Sequence, residues 1–286
     1  MPTTDCPSPS ALRVATARAA HQILENERVF DDPFAIASLG SSSAAALLRA
    51  PLQHNDVPAR SMRAGIVARA CFAEDRLLDA IAAGTEQYAV VGAGLDTWAL
   101  RMAQLLPAIS IFELDLPDMQ AWKAALYARN GWRVGSRLQH VGLDLRSCTA
   151  VEGLAQGGAD LKRPMHLSIL GVWVYLDDAA LSREIDALQQ LAPGSTLSFD
   201  YRLDEAQLHP MERVMMQFTA QMMAAGGEPW LSSSTLQRIS AQLHAAGFAV
   251  EEDVGPPELN ARYFAERKDG LQIAGGGFRY VSAIKA

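Results

Sequence analysis

The pattern of apolar and polar positions changes near residue 84 of the chain. Before this point, apolar residues recur at helical spacing, most clearly in the segment from Arg60 to Ala83. The apolar side of that segment consists of Ile66, Ala70, Leu77, Leu78 and Ile81. After it, short apolar runs alternate with helical segments, which is typical of a parallel sheet wound with helices. The pattern therefore predicts an α/β protein in which residues 11–83 form an N-terminal helical cap.

The apolar runs predict seven strands in one sheet. Five of them alternate with helices, at residues 88–91, 109–114, 138–144, 166–173 and 195–201. Two more, at residues 248–251 and 278–284, form a closing hairpin that we expect to put an antiparallel strand at the edge of the sheet. The sequence thus predicts a single domain, residues 1–286, with a Rossmann-like, seven-strand, doubly wound sheet.

Residues 204–232 interrupt this alternation, between a cofactor-binding core at residues 84–203 and the C-terminal part of the sheet at residues 233–286. The segment carries Met211, Met215, Met216, Met222 and Met223. Methionines at helical spacing usually pack into a core, which favours a core-facing helix. The position of the segment in the chain keeps a second interpretation open, that of a helical lid inserted over a substrate.

The composition fits a globular chain and argues against several classes of protein. The 286 residues are 49% hydrophobic and 20% charged, with a formal net charge of -7, whereas nucleic-acid-binding proteins usually carry a basic face. No apolar stretch approaches the roughly 18 to 20 residues that cross a bilayer, and Met1 to Cys6 lack the pattern of a signal peptide. We therefore expect a cytoplasmic protein with no nucleic-acid or membrane partner. Because Cys6, Cys71 and Cys148 are widely spaced, neither a disulfide framework nor a metal site is expected.

A glycine turn follows the first predicted strand. The strand runs into Gly92, Ala93 and Gly94, and glycines let the backbone turn sharply and approach a ligand closely. Asp96 and Thr97 can then cap the next helix, whose first amide groups favour an anionic group. The turn predicts a ligand site at the carboxyl end of this strand.

Acidic residues end the second and third predicted strands. Nucleotide-binding α/β folds place a ribose-binding carboxylate at the end of the second strand, and both Glu113 and Asp115 lie there on the same face. The pattern favours neither of the two. Asp144 ends the third strand, where it can cap a helix or accept a hydrogen bond from a purine amino group. Arg69 lies on the polar side of the helix before the turn, a position that by itself indicates only a solvated side chain.

Two cofactors fit a glycine turn followed by an acid. Dinucleotide-binding enzymes use Gly-x-Gly-x-x-Gly, whose third glycine allows close packing of helix and strand, but the chain has Gly92-Ala-Gly-Leu-Asp-Thr-Trp98. S-adenosylmethionine needs a glycine turn for its methionine part, an acid for its ribose and an acid or amide for its adenine. These features occur in that order along the chain. The order favours S-adenosylmethionine over NAD.

Further motifs extend the glycine turn in both directions along the chain. The central one is Val90-Val-Gly-Ala-Gly-Leu-Asp-Thr97 with Arg101, followed by Phe112-Glu-Leu-Asp-Leu-Pro117 and Lys123. The others are Ala15-Thr-Ala-Arg-Ala-Ala20, Asp31-Asp-Pro-Phe-Ala35, Ala68-Arg69 with Glu74-Asp75, Gly171-Val-Trp-Val-Tyr-Leu176, and Gly194-Ser195 with Asp200. Together they resemble the leucine carboxyl methyltransferase family, which includes bacterial polyketide and other small-molecule O-methyltransferases. The resemblance spans residues 15–201 and implies the class I methyltransferase fold.

The resemblance also implies a role for each matched residue in binding S-adenosylmethionine. Arg69 holds the carboxylate, the glycine turn lines the methionine part, Glu113 binds the ribose hydroxyls, and Asp144 with Leu145 meets the adenine. The full set of implied cofactor contacts is Arg69, Gly92, Ala93, Gly94, Asp96, Thr97, Glu113, Leu114, Asp144, Leu145, Leu170 and Gly171.

The chain departs from the family's motifs at two positions. Trp98 stands where an Arg is common after the Asp-Thr pair. Leu170 stands where the family usually has Glu before Gly-Val-x-x-Tyr-Leu, a carboxylate near the amino group of the cofactor. Its loss leaves open an altered or non-enzymatic role.

These observations predict an S-adenosylmethionine-dependent O-methyltransferase that forms a methyl ester on a carboxylate of a small molecule or peptide. Methyl transfer is an in-line displacement from a sulfonium, so positioning and exclusion of water can supply most of the catalysis. The sequence identifies no catalytic residue, and Tyr175, Tyr201 and Arg202 are weak candidates.

Two alternatives remain at this point. Methylation of a phenol or hydroxyl of a natural product is the first, and it requires a base such as His21, His166 or His209, none of which the sequence places near the methyl group. The second is a cofactor-binding or scaffold protein without turnover, which Leu170 motivates.

Overall fold

The alternation of apolar runs and helical segments folds into a seven-stranded sheet with helices on both faces. This computed structural model describes residues 7–102, 105–106, 108–135 and 137–286. The strands are β1 (Gln87–Val91), β2 (Ser110–Asp115), β3 (Leu138–Gly142), β4 (His166–Ile169), β5 (Thr196–Arg202), β6 (Phe248–Val254) and β7 (Phe278–Lys285). The helices are α1 (Pro9–Leu24), α2 (Gly40–Arg49), α3 (Val57–Ala82), α4 (Trp98–Met102), α5 (Pro117–Asn130), α6 (Ala150–Gln156), α7 (Asp178–Ala187), α8 (Pro210–Ala225), α9 (Leu236–Ala245) and α10 (Pro256–Tyr263).

The strand order is β3-β2-β1-β4-β5-β7-β6. Strands β1 to β5 are parallel, and β7 runs antiparallel to both of its neighbours. The expectation of an antiparallel strand at the sheet edge is therefore wrong, because β7 lies between β5 and β6. Val281 and Ala283 of β7 are 0% exposed. An interior position, with β5 on one side and β6 on the other, suits a strand with such fully buried apolar side chains.

Two apolar layers hold the helices on the sheet. On one face, α6, α7 and α9 pack on the strands through Leu154, Ile185 and Leu243. On the other face, α3 and α4 pack through Leu77 and Trp98. Successive side chains of a strand point to opposite faces of the sheet, so each polar residue at the carboxyl end of a strand lies on the side of one apolar layer or the other.

The cap begins with α1. It ends at Leu24, since Glu25 has an extended conformation and the chain folds back. The ring of His21 stabilises the reversal, because its Nε2 accepts hydrogen bonds from the amides of Val29 and Phe30 at 3.0 and 3.4 Å. The reversal places the Asp31-Asp32-Pro33 segment beside α1, where Asp32 pairs with Arg18.

Helix α8 presents its apolar stripe to solvent. Met211, Val214, Met215 and Phe218 are 67%, 60%, 50% and 58% exposed, and Met223 is the buried methionine of this helix. The favoured interpretation of a core-facing helix is therefore wrong. Helical spacing of apolar residues identifies a stripe, but it does not say whether the protein covers that stripe.

Candidate functional site

The glycine turn links β1 to α4 and is fixed to the end of β2. The amides of Gly92 and Ala93 donate to the carbonyl of Leu114 at 2.8 and 3.1 Å. Gly92 has φ +68°, and a Cβ at this position would lie 2.3 Å from Cγ2 of Val172. Glycine is required here because both the backbone conformation and the neighbouring side chain exclude a larger residue.

Asp115 is the acid that the structure brings to this turn. The amide of Gly94 donates to its Oδ2 at 2.6 Å, and the amide of Leu116 donates to its Oδ1 at 2.7 Å. Burial raises the pKa of Asp115, and these two amides oppose the shift. A carboxylate held in this way lies at the carboxyl end of β2 with a fixed orientation.

Glu113 has a different environment, although it lies on the same face of β2. Its side chain is 0% exposed, and its Oε2 lies 2.7 Å from Nζ of the buried Lys123 on α5 and 3.5 Å from Nδ1 of His140. Burial raises the pKa of Glu113, and the charge of Lys123 opposes the shift. The pattern alone did not separate Glu113 from Asp115, and the resemblance assigned the ribose to Glu113. The structure instead buries Glu113 against Lys123 and leaves Asp115 beside the glycine turn.

Asp96 and Thr97 follow the turn, and their side chains take different roles. Oδ1 of Asp96 accepts the amide of Trp98 at 2.7 Å, as a capping residue does. Thr97 is fully buried, and its hydroxyl donates to Oδ2 of Asp32 at 2.7 Å. Asp32 also pairs with Nε of Arg18 at 2.9 Å. The cap residues therefore hold the end of the glycine turn.

Trp98, the first departure from the family's motif, has a packing explanation. Its ring is 1% exposed and meets the ring of Tyr88 edge-on, with centroids 4.8 Å apart. Nearby, Arg101 donates to the carboxylate of Glu74 and to the hydroxyl of Thr97 at 3.3 Å. The arginine that follows the turn is thus engaged within the protein, and an aromatic residue fills the core at position 98.

Arg69 and Gly171 meet at the opposite side of the turn, between the ends of β4 and β5. Nη1 of Arg69 donates to Oδ2 of Asp200 at 3.1 Å, and the amide of Gly171 donates to Oδ1 of the same residue at 2.7 Å. Within the described ranges, Arg69 makes no other hydrogen bond. Leu170, the second departure, is half-buried next to this cluster. A guanidinium with one edge fixed and its other N–H groups available can bind a carboxylate ligand.

Asp144 lies in a turn after β3. Its carboxylate accepts from the amide and from Nε of Arg146, at 3.0 and 2.9 Å, and Arg146 holds the pKa of Asp144 below its ordinary value. The helix-cap interpretation of Asp144 is wrong, because Thr149 caps α6. Leu145 is half-buried beside it. That this turn binds the adenine stays a prediction.

Two of the three weak catalytic candidates, Tyr175 and Arg202, lie beside Trp230. Tyr175 is half-buried, and burial raises the pKa of its hydroxyl while Trp230 and Ser10 oppose the shift. The guanidinium of Arg202 lies 5.9 Å from the ring centre of Trp230, and its Nε donates to the carbonyl of Ser232 at 3.2 Å. Tyr175 and Arg202 thus share Trp230 as a neighbour.

Tyr201 lies on the opposite face of β5 from Asp200, because neighbouring residues of a strand alternate between faces. Its hydroxyl donates to Oδ2 of Asp253 at 3.0 Å. The structure therefore does not bring Tyr201 together with Arg69 and Tyr175.

Sequence reasoning missed the role of Trp230 and the partners of Asp32 and Asp200. Asp200 meets a residue 131 positions away and Asp32 one 65 positions away, so no local pattern could have joined them. Both acids belong to the motifs that carry the family resemblance. Their presence in those motifs was the signal in the sequence that they have a role at the site.

The described part of the chain contains no cluster of three His, Cys, Asp or Glu side chains arranged to hold a metal ion. Among the helices of these same residues, none combines the length and the apolar character needed to span a membrane.

The sequence model of the leucine carboxyl methyltransferase family matches residues 11–189. The chain belongs to this family. A relative named as an S-adenosyl-L-methionine-dependent methyltransferase, from Mycolicibacterium paratuberculosis, is 31% identical over 310 aligned positions that cover 98% of this chain and 93% of the relative. YktD of Bacillus subtilis carries the same description and is 29% identical over 222 residues, which cover 77% of this chain and 72% of YktD.

Solved structures show the same fold. A methyltransferase from Thermobifida fusca has a TM-score of 0.63 at 19% identity, covering 99% of this chain and 97% of that chain. Magnesium protoporphyrin IX methyltransferase from Synechocystis PCC 6803, solved with bound S-adenosylhomocysteine, has a TM-score of 0.51 at 13% identity and covers 81% and 88% of the two chains. The predicted Rossmann-like, class I methyltransferase fold is confirmed. This member of the leucine carboxyl methyltransferase family is an S-adenosylmethionine-dependent methyltransferase, with S-adenosylmethionine as its cofactor.

Proposed function

We propose that this methyltransferase acts on the oxygen of a carboxylate, in a small molecule or peptide, and forms a methyl ester. The observation that carries the proposal is the family match over residues 11–189, since that family is named for carboxyl methylation. The surroundings of the histidines and of Arg202 support it.

The residues of the site fit the cofactor. Arg69 has guanidinium N–H groups without a partner in the described part of the chain, which suits the carboxylate of the methionine end. Gly92, Ala93 and Gly94 let the backbone approach that end. Asp115, held by the amide of Gly94 at 2.6 Å, suits the ribose hydroxyls better than Glu113 does, because the carboxylate of Glu113 is fully buried against Lys123.

The other end of the cofactor falls to the turn after β3. Asp144 is oriented by Arg146 and suits the adenine amino group, with Leu145 against the ring. Leu170 and Gly171 border the methionine end, while Asp96 and Thr97 hold the turn rather than the ligand. When bound, the cofactor supplies a methyl group on a sulfonium.

A carboxylate acceptor needs no proton removed, because its pKa near 4 leaves it ionised at neutral pH. A phenol with a pKa near 10 gains from a general base. His166 is fully buried at the start of β4, and burial lowers its pKa to about 3. His21 is also buried, and its pKa is lowered to about 4 by burial and by Arg267. Neither histidine is arranged as a base at the carboxyl ends of the strands.

Arg202 is the residue that we propose to attract the acceptor. It ends β5, two residues after the partner of Arg69, Asp200, and it has no carboxylate partner among the described residues. Its neighbour Trp230 offers an apolar surface at 5.9 Å. A half-buried cation beside an aromatic ring suits an acceptor that joins an apolar body to a carboxylate.

The test is the chemistry of the methylated product. Cell extract incubated with the protein and S-adenosylmethionine labelled in its methyl group should yield a labelled product that mild alkali saponifies, since esters hydrolyse and ethers do not. The rate should stay nearly flat from about pH 6 to 8, and replacing His21, His166 or His209 by Gln should cost little. Two controls give the background of labelled product: extract without the protein, and extract with the Arg69→Ala variant.

Replacing Arg202 by Met should raise KM for the acceptor at least about tenfold while the affinity for S-adenosylhomocysteine stays unchanged, because the loss of a charge-assisted contact costs about 1.5 to 3 kcal/mol. Arg238→Met, which removes an exposed arginine of α9, is the matched control. An alkali-stable product would overturn the carboxylate assignment in favour of a phenol or alcohol acceptor.

A further inference from the structure

Asp200 is a buried carboxylate in the middle of an otherwise apolar part of β5. Its neighbours Phe199 and Tyr201 face the apolar layer beneath α7 and α9, whereas Asp200 faces α3. Asp200 is 2% exposed. A buried charge is costly unless it is paired and hydrogen-bonded, so the partners of this carboxylate indicate what it does.

Both partners belong to the methionine end of the cofactor site. Oδ2 accepts Nη1 of Arg69 at 3.1 Å, and Oδ1 accepts the amide of Gly171 at 2.7 Å. The two partners also touch each other: Gly171 has φ +67°, and a Cβ there would lie 2.8 Å from Nη1 of Arg69. The three residues therefore form one arrangement, in which the carboxylate sets the distance between α3 and the turn after β4.

The arrangement leaves the guanidinium of Arg69 half free. Its Nη1 is directed at Asp200, and within the described ranges its other N–H groups have no acceptor. The side chain of Arg69 is 15% exposed, so part of it is open to solvent beside the ends of β4 and β5. The Arg69–Asp200 pair is neutral overall, which suits a zwitterionic amino acid group, while Leu170 contributes no charge.

We infer that Asp200 is a positioning residue for the methionine end of S-adenosylmethionine, because it fixes both the guanidinium of Arg69 and the turn at Gly171. The inference rests on the cofactor contacts proposed for Arg69 and Gly171. It does not depend on the nature of the acceptor.

Two ligands separate the methionine end from the rest of the cofactor. S-adenosylhomocysteine carries the amino acid group, and 5′-methylthioadenosine has the adenosine and thioether without it. Calorimetric titration of Asp200→Asn should show S-adenosylhomocysteine bound about 10- to 100-fold more weakly, as for the loss of a charge-assisted contact. The affinity for 5′-methylthioadenosine should stay within about twofold, because that ligand does not reach Arg69.

Asp253→Asn is the matched control. The side chain of Asp253 is 5% exposed and pairs with Nε of Arg279, whose side chain is 26% exposed, so this variant also removes a buried carboxylate from an Asp–Arg pair of the same sheet. It should leave the affinities for both ligands unchanged. Asp200→Asn added to Arg69→Ala should cost little more than Arg69→Ala alone, because Asp200 acts through Arg69.

The inference is overturned if Asp200→Asn weakens both ligands equally, if it weakens neither, or if its effect adds in full to that of Arg69→Ala. If Asp200→Asn does not fold, Gly171→Ala tests the same arrangement, because its Cβ would lie 2.8 Å from Nη1 of Arg69. An equal loss of affinity for the two ligands, relative to the unaltered protein, would again overturn the inference. A selective loss of S-adenosylhomocysteine together with an alkali-stable product would refute the ester proposal and support Asp200.

Discussion

Asp115 and Glu113 lie two residues apart on one strand, and we expect their replacement to have different consequences. Replacing Asp115 should lower the affinity for the cofactor, whereas replacing Glu113 should lower only the stability of the fold. Asp115→Asn keeps the size of the side chain but removes the charge beside the glycine turn. If Asp115 binds the ribose, the loss of charge-assisted hydrogen bonds to hydroxyls should cost about 1 to 3 kcal/mol, which is about 5- to 100-fold in affinity for S-adenosylhomocysteine. The free energy of unfolding should fall as well, by about 1 to 3 kcal/mol, because the amides of Gly94 and Leu116 donate to different oxygens of Asp115 and Asn offers only one acceptor oxygen.

Glu113→Gln should affect folding instead. Glu113 is 0% exposed and Lys123 is 2% exposed at a separation of 2.7 Å, so the variant leaves the Lys123 ammonium buried without its counter-charge. Breaking a buried pair from one side costs about 3 to 5 kcal/mol. The folded fraction should still bind S-adenosylhomocysteine with nearly the affinity of the unaltered protein.

Isothermal titration with S-adenosylhomocysteine and urea denaturation measure the two effects independently. Asp118→Asn is the control, since it removes an exposed charge from the first turn of α5 and should change neither quantity. The reasoning is refuted if Glu113→Gln stays fully stable and loses ligand affinity while Asp115→Asn does not, because Glu113 would then have to leave Lys123 when the cofactor binds.

Two further predictions concern the glycine turn and a buried acid. Gly92→Ala should abolish measurable binding of S-adenosylhomocysteine in calorimetry and lower the melting temperature, because its Cβ would lie 2.3 Å from Val172; Gly84→Ala, where φ is +100° and no atom lies within 4 Å, controls for backbone strain alone. Glu184 accepts the amide of Ala150 at 3.1 Å, and burial raises its pKa to about 7. Relative to Glu184→Gln, the unaltered protein should lose up to about 3 kcal/mol of unfolding free energy, measured by urea denaturation, as pH rises from about 4.5 to 8.

The sign of the second prediction follows from proton binding. A carboxyl whose folded pKa exceeds its unfolded value binds more protons when the protein is folded, so stability falls as pH rises through the folded value. Equal pH dependence in the two proteins would contradict the assignment to Glu184. For the first prediction, the contradicting result is a Gly92→Ala protein that binds S-adenosylhomocysteine as tightly as the Gly84→Ala protein.

The fold was predictable because most of its information is local. Each apolar run of the parallel strands stands between two helical segments, and the turn at Gly92 can be identified from neighbouring residues alone. The insertion of β7 between β5 and β6 could not be predicted, since strand pairing depends on contacts between distant segments. The prediction that Met211 and Met215 face the core failed for a related reason. An apolar stripe on a helix does not show whether another part of the protein covers it.

The sequence identified most of the residues that lie at the site. It did not identify which residues contact one another there. The pattern brought Glu113 and Asp115 to one strand end, but only the three-dimensional position of Lys123 distinguishes the two acids. Likewise, the motif around Asp31 and Asp32 was visible in the sequence, while its bond to Thr97 was not. Partners that are far apart along the chain are the part of a site that periodicity and spacing do not encode.

The contacts of α1 and Asp32 with the glycine turn have a consequence for how the protein acquires its binding site. They join positions 65 and 77 residues apart, and the formation of such distant contacts requires that the intervening chain be closed into a loop. A fragment of residues 84–203 would contain every glycine and acid of the turn, yet it would lack the side chains of Arg18 and Asp32 that hold Leu95 and Thr97. We therefore expect the turn to reach its final shape late in folding, so that affinity for the cofactor reports the completed assembly of the chain rather than the presence of the motif.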